Sequence, residues 1–153
     1  QLLSLTRGTG ILNHSFHDYV PYCGELARRK NGVLISLENG STTQHSLFNL
    51  QDRGIMFLGP SEEVYTGMII GENNKDNDLV VNICKGKKLT NVRASGSDDT
   101  VSIAPPRIMS LEQVLGYLND DELAEITPTS IRLRKRHMDE NERKRASKTQ
   151  KVA

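Results

Sequence analysis

The 153-residue sequence predicts a mainly β domain of the α+β class, an antiparallel barrel or sandwich-like body with two short helices. Short apolar runs at Ile55–Leu58, Met68–Ile70 and Leu79–Cys84 are divided by turn-forming stretches such as Gly59-Pro60 and "NNKDND". Helical spacing is confined to two segments near the C-terminal end. Hydrophobic residues make up 36% and charged residues 25%, enough for one modest core with exposed loops or tails and too apolar for wholesale disorder.

Taken in order, "QLLSLTRG" has strand-like composition and closes on Gly8, and "TGILNHSF" adds a second extended stretch. Together they are expected to form the edge of a sheet whose other strands lie elsewhere, as in a piece of a longer chain. "DYVPYCGELARRKNG" reads as a linker, punctuated by Pro21, Gly24 and Gly32 and carrying a charged knot of Arg28, Arg29 and Lys30. A domain boundary is therefore placed near Asp18 to Tyr22. In "GVLISLENGSTTQHSLFNL" two β-compatible runs flank Asn39-Gly40, the pair favoured in a type I′ hairpin turn, where both central residues take positive φ. "QDRG" closes that unit as a turn or a single helical turn. Beyond the apolar runs, "TVSIAPPR" is a brief strand stopped by Pro105-Pro106.

"SLEQVLGYLNDDEL" opens with Ser110 as N-cap and Gln113 three residues on, a capping box, and sets Leu111, Val114, Leu115 and Leu118 on one stripe that should lean on the sheet. "AEITPTSIRLRKR" alternates Ile131 and Leu133 with Arg132 and Arg134, a strand with one charged face. "DENERKRASKTQKVA" begins acidic and ends basic, in accord with a helix dipole.

The formal net charge of +1 conceals an asymmetry. Charged residues between Ser110 and Glu125 are all acidic, whereas Arg132, Arg134, Lys135, Arg136, Arg143, Lys144, Arg145, Lys148 and Lys151 dominate the end of the chain. Local patches, and not the total, would carry any polyanion binding. Cys23 and Cys84 are too few and too far apart to read as a disulfide framework or a C-x-x-C site; free thiols in a reducing compartment are expected, with a single bridge between the two as the alternative. No apolar run approaches the roughly 20 residues of a membrane span, and "QLLSL" lacks the basic n-region and length of a signal peptide. A soluble, cytoplasmic, monomeric chain with no membrane partner is expected.

Sites for chemistry are sparse. "KGKKLT" lacks the upstream glycine and spacing of a phosphate-cradling loop. His14 and His17, near Asp18 and Cys23, are three apart and would face opposite sides of a strand, no second pair follows, and His45 and His137 are remote. No metal site is expected. Cys84 ends an apolar strand, where a thiol acts as a small hydrophobe, and Asp120 and Asp121 read as solvated acids after a helix. No catalytic residue is assigned. The segment "KGKKLTNVRASGSDD" is different: Lys85, Lys87, Lys88 and Arg93 precede any acid, and Gly86 and Gly96 keep the backbone pliable. Thr90, Asn91, Ser95 and Ser97 add hydrogen-bonding groups for phosphate, ribose or base. Lacking aromatics, the segment suits recognition of RNA backbone and shape better than base stacking.

Seven segments, "GTGILNHSF", "NGVLIS", "LFNLQDRG", "EVYTGMIIGENNKDNDL", "KGKKLTNVRASG", "SLEQVLGYLNDDEL" and "TPTSIRLRKRHMDENERKRA", closely resemble the C-terminal portion of the BipA/TypA family of translational GTPases, related to elongation factor G. The resemblance runs through nearly the whole chain and departs mainly in "YVPYCGELARRK" and after Ala146. It implies that residues 1–18 are the last strands of a ferredoxin-type domain like the fifth domain of elongation factor G, and that residues 19–153 are the family-specific C-terminal domain. It further implies that the basic loop 85–99 approaches the peptidyl-transferase region and the acceptor end of an A-site tRNA, in a factor that assists large-subunit biogenesis and stress-responsive translation. GTP and magnesium would then belong to an N-terminal domain outside this sequence, leaving the chain with no cofactor and no enzymatic activity of its own. The expected partners are large-subunit rRNA and A-site tRNA. Lys85, Lys87, Lys88, Thr90, Asn91, Arg93 and Ser95 form the expected RNA-binding set, and Arg132, Arg134, Lys135, Arg136, Arg143, Lys144 and Arg145 a secondary contact. The alternative is a protein-interaction domain whose C-terminal basic tract meets an acidic ribosomal protein or regulator.

Overall fold

The computed structural model describes residues 2–22, 29–86 and 102–150. At its centre are β1 (Val33–Ser36) and β5 (Met68–Asn73), paired antiparallel. Between them in the chain come β2 (Gly40–Ser41), α2 (Gln44–Leu50), a 3-10 turn (Gln51–Arg53), β3 (Gly54–Met56) and β4 (Glu63–Val64). After β5 follow β6 (Leu79–Val81), α3 (Leu111–Tyr117), β7 (Glu122–Ile126), β8 (Ile131–Lys135) and α4 (Glu140–Gln150). The main sheet has the order β6-β1-β5-β8-β7, with β3 on the same edge of β5 as β8, and β2 and β4 make a separate small ladder. All pairings are antiparallel except β1 with β6. The expected β-rich class is observed, but the sheet stays open and closes into no barrel.

The sheet is covered on both faces. On one, Leu34, Met56, Met68 and Ile70 pack with Leu47 and Leu50 of α2 and Val64 of β4. On the other, Val33, Ile35, Ile69 and Leu133 pack with Val114 and Tyr117 of α3. Strands buried on both faces read as unbroken apolar runs, which explains "VLI" and "MII". Of the stripe expected on α3, Val114 is buried while Leu111 and Leu115 are exposed; Tyr117 is the second buried anchor. The Ser110 capping box forms, its hydroxyl accepting from the Gln113 N–H and its own N–H donating to Gln113 Oε1.

Four expectations are corrected. Asn39-Gly40 makes no type I′ hairpin: β1 pairs with β5 and β6, Gly40–Ser41 pair with β4, and Asn39 is not at positive φ. The run "TTQHSLFNL" is a helix, because Thr43 caps it at Ser46 N–H and Leu47 and Leu50 fall on its buried side. Leu2–Leu5 make a single helical turn, α1, in place of the expected strand; it satisfies its backbone locally, the Thr6 N–H bonding to the Leu2 carbonyl, and no strand among the described residues pairs with it. Residues 102–106 form no strand; Ala104 N–H is instead taken by Gln51 Oε1.

Four N–H donors converge on the carboxylate of Glu122, at the start of β7. Arg29 Nη2 and Lys135 Nζ reach Oε1 at 2.7 and 3.0 Å, and Arg29 Nη1 and the Asn119 N–H reach Oε2 at 3.0 and 3.1 Å. Lys135 also contacts Asp78 and Asp121, both at 2.7 Å, so its three N–H groups meet three carboxylates. Asp78 in turn accepts the Val33 N–H, and Arg29 lies over the Tyr117 ring at 4.4 Å. Burial opposes the charge on Glu122, but the Arg29 hydrogen bonds and the Lys135 charge outweigh it and hold its carboxyl below the usual carboxylate range. Burial likewise opposes the charge on Lys135, and Asp121 and Asp78 overcome it, raising the ammonium above the ordinary lysine value.

Two glycines are fixed by close approach. The turn joining β5 to β6 crosses the start of β1, and a Cβ on Gly32 would lie 2.2 Å from the Asn77 carbonyl. One on Gly54 would lie 1.9 Å from the Glu72 carbonyl oxygen. Gly32→Ala is therefore expected to cost about 1–3 kcal/mol of stability, read from the midpoint of urea unfolding.

Glu122→Gln is expected to cost about 3–5 kcal/mol near neutral pH, since it leaves buried Arg29 without a counter-charge. Because the folded Glu122 pKa is depressed, its contribution is complete above about pH 4.3 and falls away as pH drops through the lower folded value. Denaturant titrations across pH should show a flatter acid limb in the variant than in the parent.

Candidate nucleic-acid interface

The described start of the basic segment, Lys85, is held by α2. Thr43 Oγ1 accepts the Ser46 N–H at 3.2 Å and donates to the Lys85 carbonyl at 2.8 Å, and Ser46 Oγ donates to the same carbonyl at 2.7 Å. Thr43 N–H bonds to the Ile83 carbonyl, so the chain before the segment is pinned at the first turn of α2. The returning chain is pinned beyond the far end of that helix, where Gln51 accepts from Ala104 and Ile103 packs on the core. Lys85 and Gly86 are exposed. Lys87, Lys88, Thr90, Asn91, Arg93 and Ser95 lie outside the described residues.

The C-terminal cations divide into three groups. Lys135 is 2% exposed and committed to Asp78, Asp121 and Glu122. Arg134 pairs with Glu125 at 2.7 Å, Lys144 pairs with Glu140 at 2.6 Å along α4, and Arg143 caps the carbonyls of His137 and Met138. Arg132, Arg136 and Arg145 have no ion-pair partner among the described residues. Asp139 begins α4 by accepting from Asn141 and Glu142, which sets the following bases along the helix. A cleft of about 380 Å³ between β8 and α4 brings Arg136, His137, Arg143 and Ser147 beside Asp120 and Asp121.

Sequence reading missed Arg29, Asp78 and Glu122 as a connected set. One signal was present: Lys135 shares a strand face with Ile131 and Leu133, and a lysine on a buried face requires carboxylate partners. His14 and His17 are exposed in an irregular stretch, and no cluster of metal-ligating residues occurs among the described residues. Cys84 is a free thiol pushed up in pKa by burial and the Glu38 charge. No helix among the described residues is long and apolar enough to cross a membrane.

This architecture defines a class: a β-rich, open-sheet domain with basic segments rooted at two places on its surface. The TypA/BipA C-terminal domain model matches residues 31–140, and the chain belongs to that family. It is 53% identical over 154 residues to "Large ribosomal subunit assembly factor BipA" of Bacillus subtilis (strain 168), with 100% of this chain and 25% of that protein covered. It is 53% identical to the like-named protein of Salmonella typhimurium and 52% to that of Escherichia coli (strain K12), in each case with 99% of the chain and 25% of the relative covered. The chain thus spans about a quarter of the length of the curated relatives it matches.

Thr43→Val is expected to lower stability by about 1 kcal/mol through loss of the α2 cap and to leave the Lys85 carbonyl held by the Ser46 hydroxyl alone. Hydrogen exchange should rise at the Ser46 amide and stay unchanged at the Gln113 amide of the separate α3 cap.

Proposed function

We propose that the chain is a ribosome-docking module, the C-terminal part of a translational GTPase that assists large-subunit assembly and holds to ribosomal RNA through its basic segments. GTP hydrolysis, with its magnesium, would belong to parts of the whole protein beyond this chain, and residues 1–18 to a ferredoxin-type domain that precedes the family domain at 19–153. The observation that carries the proposal is the rooting of Lys85: α2 holds its carbonyl, and Gln51 just past that helix takes the Ala104 N–H on the returning chain, around a segment with four bases ahead of its first acid. The names of the relatives, all large-subunit assembly factors, support a ribosomal partner.

Within this reading Lys85, Lys87, Lys88 and Arg93 contact phosphates, Thr90, Asn91 and Ser95 contact sugars or bases, and the segment lies near the peptidyl-transferase region and the A-site tRNA acceptor end. Arg132, Arg136 and Arg145 form the secondary contact; Lys135, Arg134 and Lys144 are already neutralised by carboxylates.

Replacing Lys87, Lys88 and Arg93 by alanine in the intact factor should weaken cosedimentation with ribosomes and reduce the slope of log K against log salt by about 2–3, one phosphate contact per residue. An unchanged slope and affinity would reject the assignment. RNA footprinting on the large subunit gives an independent reading, and crosslinks confined to ribosomal protein would favour the protein-interaction alternative.

A further inference from the structure

The sheet contains a break that none of the preceding roles uses. Along one edge of β5, β3 pairs with residues 71–73 and β8 with residues 68–69. Phe57 still reaches the Ile70 carbonyl at 2.9 Å, so the two partners meet end to end on one edge. Leu58 and Ile131 must then part, and between them opens a cleft of about 440 Å³ with Phe57, Met68, Ile69, Met109 and Leu133 in its walls. Ile108 and Ile126, 86% and 56% exposed, stand at its border.

The charged groups around this apolar slot are of one sign. Among the described residues its only charged lining groups are Arg107 and Arg132, both cationic. Arg107 is paired with Glu72 at 3.0 Å, whereas Arg132 has no ion-pair partner among the described residues. Thr127, Thr129 and Ser130 add hydroxyls. The backbone contributes one donor–acceptor pair. The Thr127 N–H bonds to the Ser130 carbonyl and the Arg136 N–H to the Asp121 carbonyl, which sets the phase of the β7–β8 ladder: residues 130, 132, 134 and 136 bond toward β7. Residues 131, 133 and 135 turn the other way. Lys135 meets Gly67 and Leu133 is opposite Ile69, leaving the Ile131 N–H and carbonyl directed at the cleft.

We propose that this cleft binds one unpaired nucleotide of RNA, its base between the apolar walls, its edge on the Ile131 backbone pair and its phosphate at Arg132. The lining charge selects an anionic occupant. A docked peptide strand needs several successive edge groups, and among the described residues the β8 edge offers Ile131 alone at the cleft. A base needs a single donor–acceptor pair, flat apolar walls and an arginine at its phosphate, which is the arrangement present. The inference rests on the RNA-docking reading and adds a site that distinguishes single strands from duplexes, because a paired base cannot leave its stack without losing its partner.

The four methionines make the test internal. Met68 and Met109 line the cleft; Met56 and Met138 do not. With methionine methyl groups carbon-13 labelled, single-stranded hexauridylate or hexaadenylate should shift Met68 and Met109 saturably, leave Met56 and Met138 in place, and be matched by no such shift with a short RNA duplex. Arg132→Gln should weaken that single-strand binding about tenfold. Single-stranded RNA that binds by fluorescence anisotropy without moving Met68 and Met109 overturns the cleft assignment and leaves the docking reading intact. Equal shifts with the duplex overturn it as well, and so do shifts produced by an Asp/Ile-rich hexapeptide and not by RNA, which transfer the cleft to protein recognition. Ribosome cosedimentation of the Lys87, Lys88 and Arg93 variant reads the docking proposal separately.

Discussion

The carboxylate of Glu122 is the point on which the packing of this domain turns. Through Arg29 it holds the chain that leads into β1, through Asn119 the loop after α3, and through Lys135 the end of β8. Lys135 extends the same connection to Asp78, whose second oxygen takes the first amide of β1. Taking such charges out of water is costly, and an apolar replacement of the whole set would rival it in stability. What the ionic set adds is register. A one-residue slip of β8 would carry Lys135 to the opposite face and expose Leu133 in its place.

Burial on both faces of the sheet has a second effect on how the chain reads. The central strands lose polar alternation, and what remains legible is a set of short apolar runs with turn residues between them. Those runs located β3, β5 and β6, and the self-contained signals located α3 and α4, since the Ser110–Gln113 box and the acid-to-base order of residues 139–148 are local properties. Failure was concentrated where a distant partner decides. Asn39-Gly40 carries the residues of a tight hairpin, yet β1 finds two better neighbours in β5 and β6. The stretch from Gln44 to Leu50 has no strong helical composition, and becomes a helix because Thr43 caps it and its leucines meet the sheet.

The candidate interface was legible as charge and illegible as geometry. Sequence gathers Arg132 to Arg145 into one basic tract, whereas the fold assigns its members to different tasks. Lys135 is structural, Arg143 ties α4 to the turn before it, Arg134 joins Glu125, which also receives the Tyr65 hydroxyl at 2.6 Å, and Arg132 borders the break in the sheet. A count of positive residues therefore overstates the charge available to a polyanion, and only pairing within the folded chain shows which remain.

Thr43, Ser46 and Gln51 have one more implication, for how this family can change. With one stem held at the first turn of α2 and the other by Gln51 just past its last, the span to be bridged is set by that helix. Each doubling of the intervening length costs only about 0.6 kcal/mol in closure entropy. Insertions and deletions there can accordingly accumulate with little penalty to the scaffold, so descendants are free to adjust reach by altering length while the mounting stays the same.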